Sequence, residues 1–164
     1  MKACQVLEAG LNGTQFLTNE YLKDLSDADL LVRPVPGANH IAWQLGHVIS
    51  SEIRLVRSQL PNAAYPELPA GFAEQHGKET AAQEPPKGFL TKQQYVDLFN
   101  RVREATKATI AQLSDADLDR PSSGNMAQFA PTLGAFLMLV SNHTLMHAGQ
   151  FSVVRRKLGK PVLF

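Results

Sequence analysis

The sequence predicts an all-α fold, a four-helix bundle with a long crossover between helices two and three, and three observations lead there. Four segments repeat apolar residues at helical spacing. Capping and stop signals flank those segments. No segment sustains the apolar–polar alternation of a half-buried strand. The 164 residues, 44% hydrophobic and 19% charged, have the size and balance of an ordinary globular domain. Residues 1–164 are read as one domain, because neither half alone has enough helices to close a core.

The first helix carries Leu7, Leu11, Leu17, Tyr21 and Leu25 on one face. The second begins at Asn39, a good N-cap, and runs to about Leu60 with the stripe Ile41, Leu45, Val48, Ile53, Val56 and Leu60. The third opens on the capping box Thr91-Lys92-Gln93-Gln94 and continues through Tyr95, Phe99, Val102, Thr106, Ile110 and Leu113. The fourth starts near Pro131, a residue suited to a first turn, and stops before Gly159 and Pro161.

Between the second and third helices, Pro61 to Leu90 contains Pro61, Pro66, Pro69, Pro85 and Pro86, so it cannot be one helix. A short helical turn is predicted at Gly71–His76. A connection this long runs the length of the bundle or lids one end of it. One internal repeat is visible: Leu25-Ser26-Asp27-Ala28-Asp29-Leu30 recurs as Leu113-Ser114-Asp115-Ala116-Asp117-Leu118, each soon followed by Arg-Pro (Arg33-Pro34 and Arg120-Pro121). Two helical hairpins of related design are expected, with a capping serine and acids near the positive end of a short turn.

Composition excludes several classes. Sixteen basic and fifteen acidic residues leave a formal charge of +1, which supplies no electrostatic reason for a nucleic acid or an anionic membrane as partner. Cys4 is the only cysteine, so neither an intrachain disulfide nor a Cys-rich zinc site is available. The longest apolar run, Leu133–Val140, is too short to cross a bilayer. The first residues soon meet Glu8 and Asn12 and lack the apolar core of a signal peptide. A cytoplasmic location is expected.

The chemistry is sought in His40, His47, His76, His143 and His147. A spacing of four puts His143 and His147 on one helix face with Phe136, Val140, Phe151 and Val154. Two buried imidazoles bring four ring nitrogens that need partners, and a shared metal ion satisfies two at once. In His143-Thr144-Leu145-Met146-His147 the position of the zincin glutamate is Thr144, which excludes that chemistry. A further ligand is required. Periodicity leaves two candidates open: Glu52, on the aliphatic stripe of helix two, and His47, roughly opposite it beside Trp43, Gln44 and Ser51. His40 reads as part of the helix start and His76 as an exposed loop residue. Arg155-Arg156-Lys157 suits the negative end of the last helix.

The stretches Asn39-His40-Ile41-Ala42-Trp43-Gln44-Leu45-Gly46-His47 and His143-Thr144-Leu145-Met146-His147-Ala148-Gly149-Gln150, with Val153 to Gly159 after them, resemble the signatures of the DinB-like family. The resemblance implies a four-helix bundle with a long crossover and a divalent metal, zinc or nickel, held by three histidines. Carried onto this sequence, these are His47, His143 and His147. Three histidines leave a position for water or substrate, the arrangement of a catalytic metal. Gln150, three residues past His147, and Gln44, three before His47, are placed to hydrogen-bond near the ligands. Glu52 and Gln150 are the candidate catalytic residues, Glu52 as a base. Family members include thiol-dependent transferases, which implies a small-molecule substrate and either thiol transfer, with a low-molecular-weight thiol, or hydrolysis. The alternative is a non-catalytic, stress-associated metal-binding bundle. A homodimer is also implied.

Overall fold

The computed structural model describes residues 2–84 and 86–164; Met1 and Pro85, one of the crossover prolines, lie outside the described residues. The long helices are α1 (Ala3–Leu22), α2 (Ile41–Gln59), α4 (Lys92–Ile110) and α6 (Leu133–Lys157), with short α3 (Phe72–Gln75) and α5 (Asp115–Asp119) in the connections. The four long helices form the bundle, and among the described residues no strand is present. No described helix is long and apolar enough to cross a membrane.

The buried face of α1 is Leu7, Leu11, Thr14, Thr18 and Leu22, whereas Leu17 and Tyr21 are only half-buried. Burying two threonines costs little because each hydroxyl donates to its own helix, Thr14 Oγ1 to the Gly10 carbonyl at 3.2 Å and Thr18 Oγ1 to the Thr14 carbonyl at 2.7 Å. Helix α2 is capped by His40 rather than Asn39: His40 Nδ1 accepts from the Trp43 amide at 3.1 Å. The capping box at Thr91 forms as expected, with the Thr91 amide donating to Gln94 Oε1 at 2.9 Å. Helix α6 is capped by Thr132, one residue after Pro131, and is followed past its last residue, Lys157, by Gly159, whose φ of 68° suits a residue without Cβ.

The two copies of the repeat share one capping geometry. The Ser26 and Ser114 amides donate to Asp29 Oδ2 and Asp117 Oδ2 at 2.8 and 2.9 Å. Each aspartate amide returns a bond to its serine hydroxyl at 3.2 Å. The first copy opens a single 3-10 turn (Asp29–Leu31) and the second opens α5. Leu30 and Leu118, the last residues of the copies, plug the core.

Cross-links between helices set the directions. Gln15 meets Asn100 and Lys107 meets Asn12, so α1 and α4 are antiparallel. Thr14 lies by Ser141 and Tyr21 by Arg155, so α1 and α6 are parallel. Gln44 meets His147 while Val56 packs in one cluster with Leu137, so α2 and α6 are antiparallel. Helices α2 and α4 are therefore parallel, and the chain must return along the bundle between them. That return occupies the long proline-containing crossover. Arg33 fastens its far part by donating to the carbonyls of Ala81 and Gln83.

The core falls into two apolar clusters, one around Ile41, Leu45, Phe99 and Phe151 and one around Leu11, Val56, Leu133 and Leu137. Buried polar groups, namely Thr14, Glu52, Arg103, Thr106, Ser141 and Thr144, lie among them. Arg103 Nη2 pairs with Glu52 Oε2 at 2.9 Å and donates to Thr144 Oγ1 at 2.7 Å. Thr106 Oγ1 donates to Glu52 Oε1 at 2.6 Å and in turn receives the Tyr65 hydroxyl at 2.9 Å.

Candidate metal centre

His47, two turns into α2, faces His143 and His147 on antiparallel α6. One ring nitrogen from each of the three lies within 4.8 Å of the others. The ring centroids form a near-regular triangle, 5.3 Å from His47 to each partner and 4.8 Å between His143 and His147. His147 is buried, and His47 and His143 are half-buried, which leaves one side of the cluster toward solvent.

The hydrogen bonds fix the protons on two of the rings. The Gln44 side-chain nitrogen donates to the Asn39 carbonyl at 2.8 Å, so its oxygen faces His147 Nδ1 at 2.9 Å. An amide oxygen only accepts, so His147 carries its proton on Nδ1 and presents a bare Nε2. His47 Nδ1 lies 3.3 Å from the His76 carbonyl, which imposes the same tautomer. The Trp43 ring stacks on the imidazole of His47 at 4.9 Å and 11° and limits its rotation.

Electrostatics keep the rings neutral. Burial, aided by the neighbouring histidines, pushes His143 down to about 4 and His147 to about 3, and burial lowers His47 as well. At neutral pH their lone pairs are therefore free. Metal–imidazole bonds of 2.0–2.1 Å place ligand nitrogens about 3.4 Å apart in a tetrahedral site, so closing this cluster takes side-chain movement of only about an ångström. Three neutral nitrogen donors with outward hydrogen bonds behind two of them fit one divalent ion with an open coordination side.

The other candidates fall elsewhere. Glu52 is on the buried stripe of α2, and its carboxylate is engaged by Arg103 and Thr106. Burial pushes its pKa up, and the Arg103 guanidinium opposes that shift. Gln150 is exposed on α6. His40 serves as the α2 cap. His76, expected on the surface, is 1% exposed. Its burial and the placement of its carbonyl behind His47 have no local sequence signal, since both depend on the path of the crossover, whereas the Trp43–His47 stack joins residues four apart on α2. An open groove of about 550 Å³ lies between Leu60, Ala63, Ala105 and Thr109. That is thirteen residues along α2 from His47, about 20 Å at helical rise, so it does not serve the histidines.

A family model described as the DinB superfamily matches residues 11–151. Similar solved structures include a conserved protein from Enterococcus faecalis, at 20% identity and a TM-score of 0.70, covering 98% of this chain and 99% of that one. YfiT from Bacillus subtilis matches at 15% identity and a TM-score of 0.68, over 96% of this chain and 89% of its own. A DinB-like protein from Bacillus cereus matches at 20% identity and a TM-score of 0.64, over 92% and 91%. YfiT is described as a probable metal-dependent hydrolase with an unusual four-helix bundle topology. At these identities the likeness establishes the fold. No curated protein sequence matches the chain.

Proposed function

The chain belongs to the DinB superfamily, and on that premise we propose that it is a metal-dependent enzyme in which His47, His143 and His147 hold one divalent ion, zinc or nickel. The observation that carries this reading is the convergence of three neutral imidazoles from two antiparallel helices, with the protons of two of them directed away from the cluster. A divalent ion bound there would acidify a small nucleophile and polarise an electrophilic oxygen. Gln44 orients His147 for that task, the Trp43 ring limits His47, and His47 and His143, both half-buried, keep one side of the cluster toward solvent.

The ligand set carries no charge, so it neutralises none of the ion's. Arg54, two turns beyond His47 on α2, and Lys78 on the crossover both add positive potential that lowers His47. This field favours an anionic group at the open side, either the thiolate of a low-molecular-weight thiol or a hydroxide. Thiol transfer and hydrolysis are the two reactions it supports. The description of YfiT supports hydrolysis. The deciding experiment loads the purified chain with zinc or nickel and assays ester and amide hydrolysis beside thiol transfer, with and without His143→Ala. Turnover that requires both metal and His143 supports the proposal. Turnover retained by a metal-free His143→Ala protein contradicts it, and metal binding without any turnover leaves a non-catalytic metal-binding bundle.

A further inference from the structure

We propose that His76 is a positioning residue for His47, pinning the crossover into the notch left by Gly46 so that its own backbone carbonyl holds the His47 Nδ1 proton; this rests on the metal reading above.

The His76 ring is locked by three parts of the fold. Its Nδ1 lies 2.6 Å from the Phe72 carbonyl, which can only accept, so Nδ1 is the protonated nitrogen. Its Nε2 therefore accepts the hydroxyl of buried Tyr95, on α4, at 2.7 Å. The third side of the ring lies on α2 at Gly46, where an added Cβ would overlap the imidazole carbons. A glycine inside a helix is less favourable than alanine. Here the missing side chain is the space that His76 fills.

The anchored ring fixes the backbone that follows. The His76 carbonyl is 3.3 Å from His47 Nδ1, and the next carbonyl, of Gly77, receives Trp43 Nε1 at 3.2 Å. Two consecutive carbonyls thus grip the stacked Trp43–His47 pair from one side. With the Nδ1 proton held there, Nε2 of His47 is the nitrogen left to face His143 and His147. Displacing the crossover would free that proton to either nitrogen and release the ring from its orientation.

The test uses the full chain as wild type, Gly46→Ala, His76→Ala and Tyr95→Phe. Imidazole proton–nitrogen correlation spectra of the metal-free proteins read the His47 tautomer. Chelator competition reads zinc affinity, the visible absorption of the cobalt-loaded proteins reads ligand geometry, and melting temperature is followed in parallel. The expected results are an Nδ1–H tautomer for His47 in the wild type and its loss in Gly46→Ala and His76→Ala. Zinc affinity should fall in both by roughly 10–100-fold, the range typical for partners behind metal ligands, with a changed cobalt band. Tyr95→Phe, which removes one hydroxyl, should move the same readouts in the same direction by less.

Variants that melt earlier but keep the wild-type tautomer, affinity and cobalt band would overturn the proposal and make His76 a structural anchor only. If the two larger substitutions do not fold, unchanged readouts in Tyr95→Phe overturn it equally. A wild type that takes up no zinc or nickel contradicts the metal reading instead, a failure separable from this one because the tautomer is read without metal.

Discussion

The side-chain oxygen of Gln44 stands 2.9 Å from His147 Nδ1, and the Asn39 carbonyl, 2.8 Å from the Gln44 nitrogen, settles which way that amide faces. A backbone carbonyl at the start of α2 therefore determines the tautomer of a candidate ligand on α6. Gln44→Leu keeps the volume and loses the acceptor. Its zinc affinity, measured by chelator competition, should drop by roughly 10–100-fold while the fold persists. Wild-type affinity in this variant would remove Gln44 from the site.

Glu52 and Arg103 form a buried ion pair, and Glu52 does not belong to the histidine cluster. Removing one charge of such a pair leaves the other uncompensated and typically costs about 3–5 kcal/mol. Glu52→Gln should show that loss in urea unfolding while its metal stoichiometry matches the wild type. Lost metal uptake at unchanged stability would instead place Glu52 at the metal.

Acid should unfold the metal-free protein early. Burial takes His40 and His143 to about 4 and His147 to about 3, from an ordinary value of 6.5. Above pH 7 neither the folded nor the unfolded chain protonates these rings. As pH falls below 6.5 the unfolded chain gains protons that the folded chain refuses until about pH 3–4, so stability declines with falling pH. The slope reaches about 1.4 kcal/mol per pH unit for each histidine. The urea midpoint should be clearly lower at pH 5 than at pH 7.5. Equal midpoints would contradict neutral burial of these rings.

The duplicated capping turns should carry similar weight. Ser26→Ala and Ser114→Ala each remove a hydroxyl that caps an aspartate amide, at a cost of about 1 kcal/mol. The turns belong to separate connections, so urea unfolding of the double variant should give nearly the sum of the two losses. A double variant no weaker than one single variant would mean that the turns are coupled.

Much of this architecture was legible because its causes are local. Apolar spacing marked the four long helices, and the Thr91 box and the Ser26 and Ser114 turns are built from residues three apart. The His143–His147 pair needed only a helix. His47 was harder, since it lies opposite the aliphatic stripe. A wheel assumes one buried face, and α2 is enclosed by α4, α6 and the crossover, so Trp43, Gln44 and Gly46 are buried too. The position of Glu52 on the stripe signalled burial, and Arg103 shares a face with Phe99, Thr106 and Ile110 of another helix, but spacing within each helix does not say that the two charges pair. Gln150 is turned 60° from His147 at helical spacing, enough to reach solvent. His76 had no sequence signal at all, because its burial follows from where a thirty-residue crossover runs.

If His47, His143 and His147 hold one ion between them, metal content reads that binding without any assay of turnover. The metal-free chain, incubated with zinc or nickel and freed of excess, should retain one ion per chain in elemental analysis. His47→Ala, His143→Ala and His147→Ala, still folded, should each retain far less. A wild-type chain that retains none, or variants that retain a full equivalent, would mean that these three histidines do not form a metal site.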